Sequence, residues 1–251
     1  MLKVKLDYLK IKDQTSQTIL LEDVEFQLEK KSIYSILGKN GTGKTSFILS
    51  LTKLLNDSNF ECSGNVNLFG KDIFNTSVAE LHEIRKKETR YVFQDPVGCF
   101  NPLKKIKYYF ELLNVDQSEI NKELDYFQLP AYNELKHMHA YELSVGMAQR
   151  INVLLAILAK PKLLFLDEPT SALDLPIVNL LVHRLKDFAA IENRIILIVT
   201  QDISFAKAVS DNISLLAEKE LTNFYSVNEF DSMIDNHSFK QFIDSYSEII
   251  K

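Results

Sequence analysis

The chain has 251 residues, 46% of them hydrophobic and 25% charged, which excludes a disordered polymer and calls for one sizeable core. Its 29 Lys and Arg against 34 Asp and Glu leave a formal charge of −5, so no chain-wide basic field exists to hold nucleic acid or anionic lipid. The longest apolar run, Val153 to Ala159, falls well short of the roughly 20 residues a membrane-spanning helix needs.

From the start, Met1 to Lys10 alternates charged and apolar groups and carries no secretory signal pattern. Val4, Leu6 and Ile11, then Val24, Phe26 and Leu28, predict two strands of an antiparallel edge layer. Ile33 to Leu37 reads as a strand running into a glycine-rich loop, and Thr45 to Leu55 has helical spacing. The chain has only seven glycines, and Gly38, Gly41 and Gly43 fall together in that loop, where unusual backbone geometry is needed. A short strand follows at Tyr91 to Phe93. Between Pro96 and Ala159 no strand is predicted, and Ile106 to Leu113 and Ile120 to Phe127 read as helices of an insertion. Strands at Leu163 to Leu166, Ile195 to Val199 and Ile213 to Leu216 alternate with helical patterns such as Ile177 to Ala190. Val227 to Lys251 reads as two short amphipathic helices forming a cap. The fold class is therefore α/β, a doubly wound, mostly parallel sheet with an antiparallel β edge layer and an inserted α-helical subdomain. One domain, 1–251, is expected, with its core in 1–95 and 160–226, the helical subdomain at 96–159 and the cap at 227–251. Cys62 and Cys99 form no CxxC and no metal-spaced cluster, which fits a reducing compartment.

Gly38-Lys39-Asn40-Gly41-Thr42-Gly43-Lys44-Thr45 matches G-x-x-x-x-G-K-[ST] between a predicted strand and helix. Glycines there let main-chain N–H groups wrap phosphates, Lys44 reaches the outer phosphate oxygens, and the Thr45 hydroxyl suits Mg²⁺. Leu163 to Leu166 ends in Asp167 and Glu168 at the edge where such a sheet presents ligands; Asp167 would support the metal and Glu168 would polarise a water. A solvated strand end is the plain alternative. Gln94 follows the strand at Tyr91 to Phe93, where its amide could meet metal and water or simply solvent. Ser144, before the helix through Ala159, is a helix cap or, with Gly146, an anion site.

Taken in order, the loop at Gly38, Gln94, Leu143-Ser144-Val145-Gly146, Leu166-Asp167-Glu168-Pro169-Thr170, Ser171-Ala172-Leu173-Asp174 and Ile198-Val199-Thr200-Gln201-Asp202 make a chain that resembles an ATP-binding-cassette (ABC) transporter ATPase subunit. Phe93-Gln94-Asp95-Pro96, Asn101-Pro102 and Met147 look like its dipeptide, oligopeptide and nickel importer subfamily. The resemblance implies a P-loop NTPase that binds ATP and Mg²⁺ and drives uptake of a small solute, favouring peptide, nickel or chelated metal. It implies that Gly38, Asn40, Gly41, Gly43, Lys44, Thr45 and Ser46 hold the nucleotide, that Thr45, Gln94 and Asp167 serve the metal, and that Glu168 with the switch position Gln201 is catalytic. Ser144, Gly146 and Gln149 would act on a partner's nucleotide across a dimer, and Asp174 would lie near its seam. The implied partners are transmembrane permease subunits, a second ATPase and an extracytoplasmic solute-binding protein, at the cytoplasmic face of the membrane.

Three departures from the family pattern carry expectations of their own. The switch histidine is Gln201, which cannot carry an imidazolium charge. The first signature glycine is Val145, whose Cβ resists positive φ and close approach to phosphate. No aromatic stands ready for adenine, since Tyr8 is misplaced and Asp13 occupies the probable position. Slow hydrolysis at this chain's own loop, a weakened site lent to the partner, and pairing with a different ATPase are the expected results. A poorly hydrolysing regulatory half, an ATPase of another transport system and a soluble P-loop enzyme remain as alternatives.

Overall fold

Alternation of apolar and charged residues makes β1 (Leu2–Lys12) and β2 (Gln17–Leu28) an antiparallel pair, with Leu2, Val4, Leu6 and Leu9 buried alongside Leu21, Val24 and Leu28. The computed structural model describes residues 1–12 and 17–232, so Asp13 and the expected cap beyond 232 lie outside the described residues. β3 (Ser32–Leu37) leads through the glycine-rich loop into α1 (Lys44–Ser50). The helix stops short of the expected Leu55 because Lys53 turns left-handed, with φ 53°, and the Leu54 N–H closes back on the Leu49 carbonyl at 2.9 Å.

β4 (Phe60–Leu68), a strand beyond those expected, pairs with the free side of β1 and with the short β5 (Lys71–Asp72), giving the order β2-β1-β4-β5. α2 (Val78–Lys87), capped by Ser77, precedes β6 (Thr89–Val92). The stretch that follows is helical: α3 (Ile106–Glu111), α4 (Gln117–Tyr126), α5 (Tyr132–Leu135), a 3₁₀ turn at Ala140–Glu142 and α6 (Val145–Leu158). Among the described residues its β pairing is confined to an isolated bridge between Lys105 and His139. Glu123 on α4 makes a two-pronged ion pair with Arg184, whose Nε donates at 2.8 Å, tying this stretch to α7 (Leu175–Ala190).

β7 (Leu163–Asp167), β8 (Ile195–Thr200), α8 (Ile203–Val209), β9 (Asn212–Ala217), the two-residue β10 (Glu220–Leu221) and β11 (Tyr225–Ser226), and α9 (Val227–Ser232) complete the chain as described. The second sheet runs β10-β9-β3-β8-β7-β6, with β11 beside β9. Its central five strands are parallel, and every residue of β7 and β8 is buried, because helices and the antiparallel sheet cover both faces. Leu163, Phe165, Leu197 and Val199 pack with α1 and the antiparallel sheet, while Leu164, Leu166, Ile196 and Ile198 pack with α6 and α7. Non-sequential neighbours require crossovers, and the register brings Leu37 beside Thr200 and Asp167 beside Val199. Three strand ends are thus brought to one carboxyl edge, where a ligand crevice is expected.

Candidate active site

Gly41 and Gly43 take φ 81° and 94°, so the loop after β3 turns through left-handed backbone that a side chain would strain. Its lysine then folds back under the loop. Lys44 is 6% exposed, and its Nζ donates to the carbonyls of Gly38 at 2.8 Å and Lys39 at 2.9 Å. The same ammonium lies 3.3 Å from Glu168 Oε1. One residue on, the Thr45 hydroxyl donates to Asp167 Oδ2 at 2.7 Å, joining the start of α1 to the end of β7.

Asp167 is 2% exposed and its Oδ1 has no hydrogen-bond partner. Burial holds its carboxyl above the ordinary aspartate range, against the opposing pull of the Thr45 hydrogen bond. Glu168 sits at φ 45° and its N–H donates to the Val199 carbonyl at 2.9 Å. Its Oε2 accepts from Thr200 Oγ1 at 2.8 Å and from the Gln201 main-chain N–H at 3.1 Å, whereas Oε1 accepts no hydrogen bond. Thr200 is the residue that sequence reasoning missed; the available signal is a hydroxyl closing the otherwise apolar strand Ile195–Thr200.

A cavity of about 240 Å³ collects Asn40, Gly41, Gly43, Lys44, Thr45, Ser46, Gln94, Asp167 and Glu168, with Ile11 and Leu20 at its apolar side. Tyr8 is engaged elsewhere, donating to Glu61 Oε1 at 2.5 Å with its ring 3.8 Å from Lys10 Nζ. A wider basin of about 610 Å³, lined by Lys3, Lys30 and Lys162 among others, contains none of these groups.

The ABC transporter family model matches residues 21–171. The chain belongs to that family. Among curated relatives of this cassette, the oligopeptide transport ATP-binding protein OppD of Haemophilus influenzae is 31% identical over 86% of the chain and 69% of its own length. OppD of Escherichia coli is 29% identical over 78% of the chain and 60% of its own length, so the cassette spans about two thirds of such relatives. The dipeptide transport ATP-binding protein DppF of Lactococcus lactis is 30% identical over 78% of the chain and 64% of its own length. A solved dimeric ATP-binding cassette in a post-hydrolysis state with ADP and phosphate superposes with a TM-score of 0.73 at 21% identity, covering 90% of this chain and 99% of that one. The structure of an ATP-binding subunit of an ABC transporter gives 0.75 at 20% identity, covering 100% of both chains. As an ABC ATPase the cassette binds ATP and hydrolyses it.

The remaining predicted residues of the cassette do not join the cavity. Ser144 caps α6, accepting from the Met147 N–H at 3.2 Å. Val145 is the first residue of that helix, in right-handed backbone and 54% exposed, so the expected positive-φ strain does not arise. Gly146 permits close packing within the chain, since a Cβ there would stand 2.9 Å from the Ala172 carbonyl. Gln149 is fully buried and donates to the Pro169 carbonyl at 3.1 Å, which turns it toward its own chain. Asp174 caps α7 through the Ile177 N–H at 3.3 Å. Gln201 reaches Glu168 through its main chain, while its residue surface is exposed.

Proposed function

We propose that this cassette is the ATP-driven motor of an importer for peptides or a similarly small solute, working with Mg²⁺. The observation that carries the reading is the convergence of Lys44, the Thr45–Asp167 pair and Glu168 on one cavity at the carboxyl edge of β3, β7 and β8. Lys44 would exchange its two carbonyl partners for phosphate oxygens, a charge-assisted contact stronger than either. Thr45 and Asp167 are hard oxygen donors, and the unpartnered Asp167 Oδ1 fits a divalent cation. Among the described residues no group of three or more His, Cys, Asp or Glu could hold a metal, so phosphate and water would complete the shell. Mg²⁺ when bound would neutralise charge on the transferring phosphoryl group. Gln94, on the exposed side of the cavity, would sense metal and water together. Glu168 would take the proton of an attacking water at Oε1, its less constrained oxygen.

Peptide is the cargo class that the relatives' names favour over nickel or a chelated metal. Permease subunits as partners are supported by a groove of about 360 Å³ between β6 and the helical stretch, where Phe93, Phe100, Tyr109 and Leu112 meet Lys86 and Arg90. Among the described residues no helix is long and apolar enough to cross a membrane, so the permease would hold the cassette at the cytoplasmic face. A solute-binding protein outside would deliver cargo. Gln201 and Val145 favour a second reading within the same family, a cassette that pairs with a different ATPase and hydrolyses slowly at its own loop.

The test is calorimetry on the purified transporter complex. Mg·ATP uptake by this subunit should weaken at least tenfold in Lys44→Ala, the loss expected of one charged phosphate contact of about 1.5–3 kcal/mol. Unchanged uptake would overturn the motor reading.

A further inference from the structure

Thr200 is fully buried at the end of an apolar strand, where a hydroxyl costs free energy unless it is hydrogen-bonded. Its partners fix the direction of its single proton. Asp202 N–H can only donate, and it gives its hydrogen to Thr200 Oγ1 at 3.0 Å, so the hydroxyl's own hydrogen is left for Glu168 Oε2 at 2.8 Å. The Gln201 N–H adds a second donor to that oxygen at 3.1 Å. The main chain at Glu168 is pinned to the same strand through Val199. One carboxylate oxygen is therefore held from β8, and the other faces Lys44 without a hydrogen bond.

We infer that Thr200 is the positioning residue that aims the Glu168 carboxylate, acting with the main-chain N–H of residue 201 and independently of the side chain there. The inference rests on the hydrolytic reading above. It accounts for how a cassette with glutamine at the switch position keeps its carboxylate oriented. An unaimed carboxylate would sample rotamers in which Oε1 no longer faces Lys44, which lowers the rate of the chemical step and leaves nucleotide binding intact.

Steady-state ATPase kinetics on the full transporter complex test it, with Thr200→Val and Thr200→Ser beside the wild type and with melting temperature and Mg·ATP affinity measured on the same samples. Thr200→Val keeps the shape and removes the donor; kcat should fall about tenfold with KM and affinity within twofold. Thr200→Ser keeps the donor and should recover most of kcat. A competent wild type whose Thr200→Val variant keeps its kcat overturns this inference alone. Parallel loss of affinity and melting temperature, with no recovery in Thr200→Ser, assigns Thr200 a merely structural role and also overturns it. A wild-type complex that binds Mg·ATP without turning it over removes the hydrolytic reading, and this inference falls with it.

Discussion

Burial of the Asp167 carboxyl, with Oδ1 unpartnered beneath the loop, sets ligand binding against the stability of the empty chain. Its carboxyl is held above the ordinary range by burial, so the folded state retains a proton that the unfolded chain gives up. The sign follows: this group's contribution declines as pH rises from the ordinary aspartate range through the raised folded value, and at neutral pH the charged form is unfavourable. Asp167→Asn keeps an acceptor for the Thr45 hydroxyl and removes that charge. It should raise the Tm of the nucleotide-free complex subunit at pH 7.5 while weakening Mg·ATP binding. Calorimetric scans with and without Mg·ATP give both quantities, and a lower Tm without nucleotide would contradict the burial argument. Lys44, Thr45, Asp167 and Glu168 were legible from spacing because phosphate chemistry demands those residue types in that order. Thr200 was not, since one hydroxyl at a strand end has the same local pattern whether it caps, packs or aims a carboxylate.

At the scale of elements, β4 shows what conceals a strand. Phe60, Cys62, Val66 and Leu68 keep the apolar alternation, but Gly64 interrupts that face, and only Val66 and Leu68 lie fully buried within the strand. Gly64, at φ 129°, sits where the β1–β4 register shifts between Leu6 and Tyr8. A Cβ at Gly64 would stand 2.2 Å from the Lys5 carbonyl oxygen and 2.7 Å from Leu6 Cα, both rigid main-chain atoms. Gly64→Ala must therefore part β1 from β4 or bend them, at a cost of about 3 kcal/mol from backbone strain and overpacking. Chemical unfolding should show the midpoint falling at unchanged m-value; a loss under 0.5 kcal/mol, roughly the level of an ordinary surface change, would mean that the close approach is not maintained. The parallel strands were easier to read, because burial on both faces leaves β7 and β8 as unbroken apolar runs. α1 was over-extended from its sequence because Leu51, Leu54 and Leu55 continue a helical spacing past the left-handed turn at Lys53, a residue type that gives no stop signal.

For the whole molecule, two of the three departures from the family pattern, Gln201 and Val145, lie on separate surfaces. Gln201 follows β8 beside the cassette's own cavity, and Val145 is exposed at the start of α6, away from it. In a homodimer every composite site would carry both departures. In a heterodimer one site would carry Gln201 and the other Val145, so each departure could be offset by an intact partner motif. Val145 imposes no backbone strain, which leaves the bulk of its exposed side chain as its effect. We therefore expect native mass spectrometry of the transporter, purified through a tag on this subunit, to show one copy of this cassette beside one different ATPase. Val145→Gly should then raise turnover at the partner's loop alone, and Gln201→His at this chain's loop alone, each resolved by disabling the other loop through its lysine. An assembled homodimer with brisk turnover at both loops would refute the pairing argument, because sites combining both departures would then be fully competent.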